Sequence, residues 1–312
     1  MITTLEICAG AGGQALGLEQ AGFHHIALVE IEKQYCETLR KNRPNWNVIC
    51  QDVQKFQGRP YRNKVDLLAG GVPCPPFSVA GKQLGRHDER DLFPEALRLT
   101  EEIRPKAVMW ENVRGLQDPK FDDYRTYITE SFEALGYHMT WKLVHSSDFG
   151  VPQLRPRMIL VGIQKKWYHG AFLFPTGGIK APTVGETIGD LLGEKGWRGT
   201  SRWKKKANRI APTIVGGSKK HGGPDLGPTR AKKAWAEMGI DGKGIANEAP
   251  GIEFDGMPRL TCRMVARIQG FPDDWIFTGS KTAQYRQIGN AFPPPVAKAI
   301  SREIKEYMEW KH

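Results

Sequence analysis

The 312-residue chain is predicted to be an α/β protein, a doubly wound and mostly parallel sheet joined to a second, smaller, irregular domain. Three observations predict it. Short apolar stretches alternate with amphipathic ones through the first half, the pattern of a parallel sheet covered by helices on both faces. The chemically suggestive residues of that half fall immediately after the strand-like stretches, where open parallel sheets bind ligands. From about residue 165 the chain turns rich in Gly, Pro and Lys and its periodicity weakens.

Residues 5–8 read as a strand and 14–20 as a helix closed by Gly22; 26–30 is the next strand, 33–41 a helix stopped by Pro44, and 47–50 a third strand. A fourth strand, 65–69, runs into Gly70-Gly71-Val72-Pro73-Cys74-Pro75-Pro76-Phe77-Ser78, whose prolines stiffen the backbone around one cysteine. After the polar run 82–91 comes a helix at 94–103, with proline in its first turn and Pro105 beyond its end. Residues 107–110 form a fifth strand, 124–135 a helix, and 137–144 and 157–163 two more strands. Between 165 and 256 only 230–238, ended by Gly239, has a helix's pattern; helical patterning returns at 263–269 and 295–310. The expected division is a discontinuous first domain of 1–165 plus 275–312 and a second domain of 166–274.

With 40% hydrophobic residues the chain can build a proper core. The five cysteines (Cys8, Cys36, Cys50, Cys74, Cys262) are odd in number and form no C-x-x-C pair. That argues against a disulfide framework and a zinc site, so no metal is expected and a reducing cytoplasm is the expected setting. The opening Ile2-Thr3-Thr4-Leu5-Glu6-Ile7 lacks the basic and apolar regions of a signal peptide. No apolar run approaches the ~20 residues that a bilayer requires. Neither export nor a membrane span is expected.

Five groups gather at one sheet edge. Cys8-Ala9-Gly10-Ala11-Gly12-Gly13 follows the first strand, Glu30 ends the second, Asp52 follows the third, Cys74 the fourth and Glu111-Asn112-Val113 the fifth. Gly10–Ala15 fits G-x-G-x-x-A, with Glu30 near the ~20-residue offset of a ribose-binding acid. A nicotinamide or flavin enzyme fits that element alone; Asp52, a further acid, suits an adenine amino group and favours an adenosine cofactor such as S-adenosylmethionine. Cys74 reads either as an inert small hydrophobe or as a positioned nucleophile. Glu111, at the lip of an apolar strand, either caps the next turn or is a general acid whose partial desolvation favours the protonated form.

The formal net charge is +11. Between Arg198 and Lys233 eleven Lys or Arg residues stand against the single acid Asp225, so this block accounts for nearly all of it. Such a run is either a solvated face or a surface for a polyanion; the interspersed glycines, Trp203 and His221 favour the second.

Six stretches, in order and spacing, resemble the motif series of the C5-cytosine DNA methyltransferases: Cys8–Gly13, Gly70–Ser78, Glu111-Asn112-Val113, Gln153-Leu154-Arg155-Pro156-Arg157, 259–272 and 287–294. The resemblance covers roughly 1–165 and 257–312 and implies a Rossmann-like methyltransferase sheet with a target-recognition domain. It implies a site-specific DNA cytosine-C5 methyltransferase of the bacterial restriction-modification type. Cys74 would attack C6 of the target cytosine, Glu111 would protonate or hydrogen-bond N3, and Arg155 and Arg157 would lie near the base, one of them on the pyrimidine oxygen. The base must be flipped out of the duplex to meet the thiol.

For S-adenosylmethionine, with S-adenosylhomocysteine as product, the resemblance assigns Cys8, Ala9, Gly10, Gly12 and Gly13 to the methionine end. It gives Glu30 the ribose hydroxyls, Ile31 one adenine face and Asp52 the amino group, with Val53, Gly70, Pro73 and Asn290 completing the site. Residues 82–91 correspond to a mobile loop closing over DNA. The expected DNA contacts are Ser78, Lys82, Gln83 and Arg86 there, and Arg202, Lys204, Lys205, Lys219 and Lys220 in the basic block. Partners would be double-stranded DNA and a cognate restriction endonuclease acting separately, the enzyme itself working as a monomer. Two departures from the family's wording stand out: most members carry an aromatic residue where Cys8 stands, and many carry Gln at Pro75. Alternatives are a family member acting on transfer RNA, a non-catalytic DNA-binding relative and, more distantly, the dinucleotide oxidoreductase.

Overall fold

The computed structural model describes residues 1–73, 91–217 and 223–310. Its first half alternates as the sequence predicts: β1 (Ile2–Ile7), α1 (Gly13–Gln20), β2 (Phe23–Glu30), α2 (Lys33–Asn42), β3 (Val48–Cys50), β4 (Leu67–Gly70), α3 (Phe93–Ile103), β5 (Ala107–Val113), α4 (Asp122–Ala134), β6 (Tyr137–His145) and β7 (Pro156–Gln164). Among the described residues seven strands form one sheet in the order β3-β2-β1-β4-β5-β7-β6. β1 to β5 pair in parallel, whereas β7 runs antiparallel to both β5 and β6. The strand order reverses between β1 and β4, and the crevice beyond their carboxyl ends is where a doubly wound sheet takes its ligand.

Register puts the expected groups in one row. Val29 pairs with Ile7, Ile7 with Gly70 and Gly70 with Trp110, so the glycine turn, the end of β2, residues 71–73 and Glu111 all leave the sheet at one level. All four residues of β4 are buried, as a central parallel strand covered on both faces demands. On one face α3 and α4 bring Phe93, Leu99, Ile128 and Phe132 onto Leu5, Ile7, Leu68 and Trp110. On the other, Leu18 of α1 and Val296, Ile300 and Ile304 of α10 (described below) cover Leu67, Ala69 and Met109.

The second half holds α5 (Val184–Gly193), α6 (Thr200–Lys206), α7 (Thr229–Glu237), α8 (Cys262–Ile268), α9 (Lys281–Asn290) and α10 (Pro294–Glu309). Only α7 was expected between 165 and 256, so α5 and α6 correct the sequence reading. α5 carries a capping box, Thr183 with Glu186, and buries Val184, Ile188, Leu191 and Leu192 at i, i+4, i+7 and i+8. Gly185 and Gly189 obscured it by lowering helix propensity, yet they open the groove that α6 fills: a Cβ at Gly185 would stand 2.6 Å from the Lys204 carbonyl. α9 was also missed, because its buried Gln287 and Tyr285 break the apolar period. A single apolar cluster runs from Val184 to Ala291 and takes in Ala11 and Leu16, so this lobe is packed directly against the glycine turn.

Candidate active site

Two hydrogen bonds root the chain that leads toward Cys74, and one carboxylate stands beside it. Asn112, buried on β5, donates from Nδ2 to the Val72 carbonyl at 3.0 Å. Leu92 N donates to Pro73 O at 3.2 Å, so residues 73 and 92 meet beside the sheet edge. Glu111 Oε2 lies beside Gly71, 3.2 Å from where a Cβ there would be. Cys74 itself, with Ser78, Lys82, Gln83 and Arg86, lies outside the described residues.

Glu111 Oε1 makes an ion pair with Arg157 Nε at 2.6 Å, and both side chains are largely withdrawn from solvent. In the β5–β7 ladder Glu111 stands opposite Ile159 and Arg157 opposite Val113, a diagonal pair on one sheet face. A guanidinium, rather than the apolar wall suggested by the strand, therefore faces this carboxyl. Arg157 Nη1 also donates to the Pro156 carbonyl, which fixes the plane of the fork.

Arg155 is placed differently. It is 1% exposed, its Nη1 donates to Ile214 O at 2.7 Å and its Nη2 to Gly289 O at 2.8 Å. Burial, then the charge of Arg157, lowers the pKa of this guanidinium well below its ordinary value. Around it Gln153 donates to Gln269 and accepts from Ile214 N, while Gln269 donates to Ala291 O. Here the backbones of 215–217 and the end of α9 touch: a Cβ on Gly289 would fall 2.5 Å from Gly216 Cα. Of the two arginines expected near the base, Arg157 meets Glu111, whereas Arg155 ties three distant segments together. Replacing Arg155 with alanine should lower stability by about 2–4 kcal/mol, since two carbonyls lose their donor and a cavity opens. Thermal denaturation checks this; unchanged melting with impaired turnover would return Arg155 to the base.

The row's other end gathers a buried acid, the glycine turn and an exposed apolar side chain. Glu30 is buried at the tip of β2, accepting from Gly10 N at 2.7 Å and Glu32 N at 2.9 Å. Burial raises its carboxyl, and those two N–H groups pull it back. Beneath it Glu6 on β1 is pushed well above the carboxylate range by burial and by the Glu30 charge, and the Cys8 thiol is driven up by burial and the same acids. Cys8 and Gly10 adopt φ of 51° and 56°. A Cβ at Gly10 would meet nothing within 4 Å, so this glycine faces open space, whereas one at Gly13 would strike Phe292 O at 2.3 Å. Ile31 is 59% exposed, an apolar side chain offered at a sheet edge between two acids. Asp52 caps the turn after β3 by accepting from Gln54 N.

Asn290 and the basic block have protein partners of their own, and some contributors went unforeseen. Asn290 donates to Gly217 O at 3.3 Å, facing the second lobe, and it is Ala291 and Phe292 that touch the glycine turn. Asn112, Gln153, Gln269 and Trp275 were not singled out as site residues; a buried amide or indole at a motif's edge was the available signal. In the basic block Arg198 pairs with Glu253 and Arg209 with Glu237, acids from outside the block, while Lys232 pairs with the block's own Asp225. Arg202, Lys204, Lys205 and Lys206 are exposed on α6, anchored by buried Trp203, while Lys219 and Lys220 lie outside the described residues.

Comparison with known proteins decides the class. Residues 2–306 match the family described as C-5 cytosine-specific DNA methylase. This chain belongs to that family. It is 58% identical over 306 residues to the Type II methyltransferase M.NgoMIV of Neisseria gonorrhoeae, covering 97% of this chain and 96% of that protein. Against the Type II methyltransferase M.NaeI of Lentzea aerocolonigenes it is 56% identical over 309 residues, covering 97% of this chain and 75% of the other. Among solved structures, a prophage-encoded DNA modification methyltransferase of E. coli superposes with a TM-score of 0.70 at 23% identity, covering 99% and 100% of the two chains. Spodoptera frugiperda DNMT2 gives 0.69 at 17%, with the same coverage. These two fix the fold of this C-5 cytosine-specific DNA methylase as the Rossmann-like methyltransferase sheet. No helix among its described residues is long and apolar enough to cross a membrane.

Proposed function

We propose that this C-5 cytosine-specific DNA methylase is the modification enzyme of a Type II restriction-modification system, methylating one cytosine within a specific duplex sequence as a monomer. The observation that carries the site assignment is the convergence at the strand-order reversal: Glu111 with Arg157, the two roots of the Cys74 segment, and the Glu30–Gly10 contact. Carbon 5 of cytosine is a poor nucleophile. Adding the Cys74 thiolate to C6, while Glu111 donates to N3, moves electron density onto C5. Arg157, held by the Glu111 carboxyl and the Pro156 carbonyl, then aims its free edge at the pyrimidine oxygen and steadies the ring. Once C5 carries the methyl, loss of the C5 proton to a base, elimination of the thiolate and return of the N3 proton to Glu111 restore the aromatic ring and free Cys74. A flipped base is required throughout, because C6 is inaccessible inside the stack.

The donor is S-adenosylmethionine, which supplies an electrophilic methyl group on a sulfonium. Open space at Gly10, the buried Glu30 acceptor and the exposed Ile31 fit an adenosine with free ribose hydroxyls. Glu30 would take the ribose, Ile31 one adenine face and Asp52 the amino group. A dinucleotide would need a further phosphate site, and a second acid, Asp52, does not suit one. Duplex DNA would lie against α6, and a separate endonuclease would read the same sequence. Reversing the charges of Lys204, Lys205 and Lys206 together should weaken duplex binding and flatten its dependence on salt, as lost phosphate contacts release fewer counterions. Binding isotherms at several salt concentrations measure it.

Bisulfite sequencing of DNA from cells expressing the chain tests the whole reading and yields the recognition sequence. Protected cytosines at one repeated motif are expected; uniform conversion, with methyl transfer to transfer RNA in a parallel assay, would favour an RNA-directed relative instead.

A further inference from the structure

We propose that Trp275, some 260 residues away in sequence, is a positioning residue for the cofactor: it sets the shape of the glycine turn and couples that turn to helix α2. This rests on the reading of the Gly10–Glu30 crevice as the S-adenosylmethionine site. Trp275 is buried, and its Nε1 donates to the Ala11 carbonyl at 3.2 Å. Its ring also fills the space beneath the next residue: a Cβ at Gly12 would lie 2.8 Å from Trp275 and 2.7 Å from Leu39, so Gly12 is clamped between the indole and α2. Gly10 and Gly12 both have positive φ, and the intervening carbonyl is the one the indole holds. A turn with two left-handed residues has several backbone alternatives of similar energy, and the indole N–H selects the one that keeps Gly10 N pointed at Glu30.

The chain after Trp275 is laced along α2 by groups one helical turn apart. Asn42 exchanges two hydrogen bonds with the Ile276 backbone, at 2.7 and 2.8 Å. Thr38 Oγ1 accepts from Thr278 N and donates to Gln287, and Thr278 Oγ1 donates to the Gln34 carbonyl. Arg43, at the end of α2, lies over the Trp275 and Trp46 rings at 5.2 and 5.8 Å and pairs with Glu19 of α1. α1 opens from the glycine turn and α2 begins three residues after Glu30. The 275–278 strap thus joins the two walls of the crevice to each other and to the second lobe.

Equilibrium binding of S-adenosylhomocysteine to the full chain, with steady-state kinetics on duplex DNA, tests this. Trp275→Phe keeps the ring and removes the donor. It should raise the dissociation constant for S-adenosylhomocysteine and the KM for S-adenosylmethionine about three- to tenfold, the worth of one hydrogen bond. kcat at saturating cofactor and duplex affinity should stay within about twofold, a split that general loss of fold would not give. Asn42→Ala, which loosens the strap away from the indole, should move the same constants in the same direction. Wild-type binding with an indifferent Trp275→Phe overturns the proposal alone, as does a fall in kcat with KM unchanged; an indifferent Asn42→Ala overturns the strap's part in it. A wild-type chain that binds no S-adenosylhomocysteine overturns the cofactor reading and this proposal together.

Discussion

Cys74→Ser should reduce methyl transfer to background while duplex binding persists. Serine keeps the shape of the side chain but its hydroxyl is a far weaker acid than a thiol, so no anion is available at neutral pH to add to C6. The assay is incorporation of labelled methyl groups into DNA beside a binding isotherm for the same duplex. A sharper form uses DNA carrying 5-fluorocytosine at the target. Fluorine at C5 cannot leave as a proton, so the adduct persists and should survive denaturation in the wild type and be missing from the variant. Full activity in Cys74→Ser would sink the nucleophile assignment.

Glu111→Gln is expected to slow turnover by about 10²–10⁴-fold, the usual contribution of a positioned general acid. The amide can still hydrogen-bond N3 but cannot give it a proton, and it also removes the charge that holds Arg157 at 2.6 Å. Both losses fall on the chemical step, so single-turnover rates, measured with saturating cofactor and DNA, should drop while the binding constants change little. An unchanged rate would reduce the carboxyl to a structural partner of Arg157.

Much of this was readable in the chain because parallel sheets impose a simple geometry. Strand, loop and helix alternate, so each loop after a strand reaches the same edge, and the row through Val29, Ile7, Gly70 and Trp110 follows from that rule. What escaped prediction depends on contacts between distant residues. Arg155 reads as a site arginine from its motif; only the fold shows Ile214 and Gly289 taking its two nitrogens. The acids that neutralise Arg198 and Arg209 lie 55 and 28 residues further on, beyond any local charge count. α5 was hidden because Gly185 and Gly189 look like helix breakers until α6 is laid across them.

The close passage of Gly216 over Gly289, with Arg155 bound to the carbonyls beside it, has a consequence for chimeras between relatives of different sequence specificity. Transplanting the second lobe whole would exchange one side of a backbone crossing that admits no Cβ, and the host's buried guanidinium would meet a foreign carbonyl at 214. Grafts whose junctions fall inside that crossing, leaving 211–217 and 281–291 as host residues, carry the donor's other side chains while the recipient keeps its own crossing.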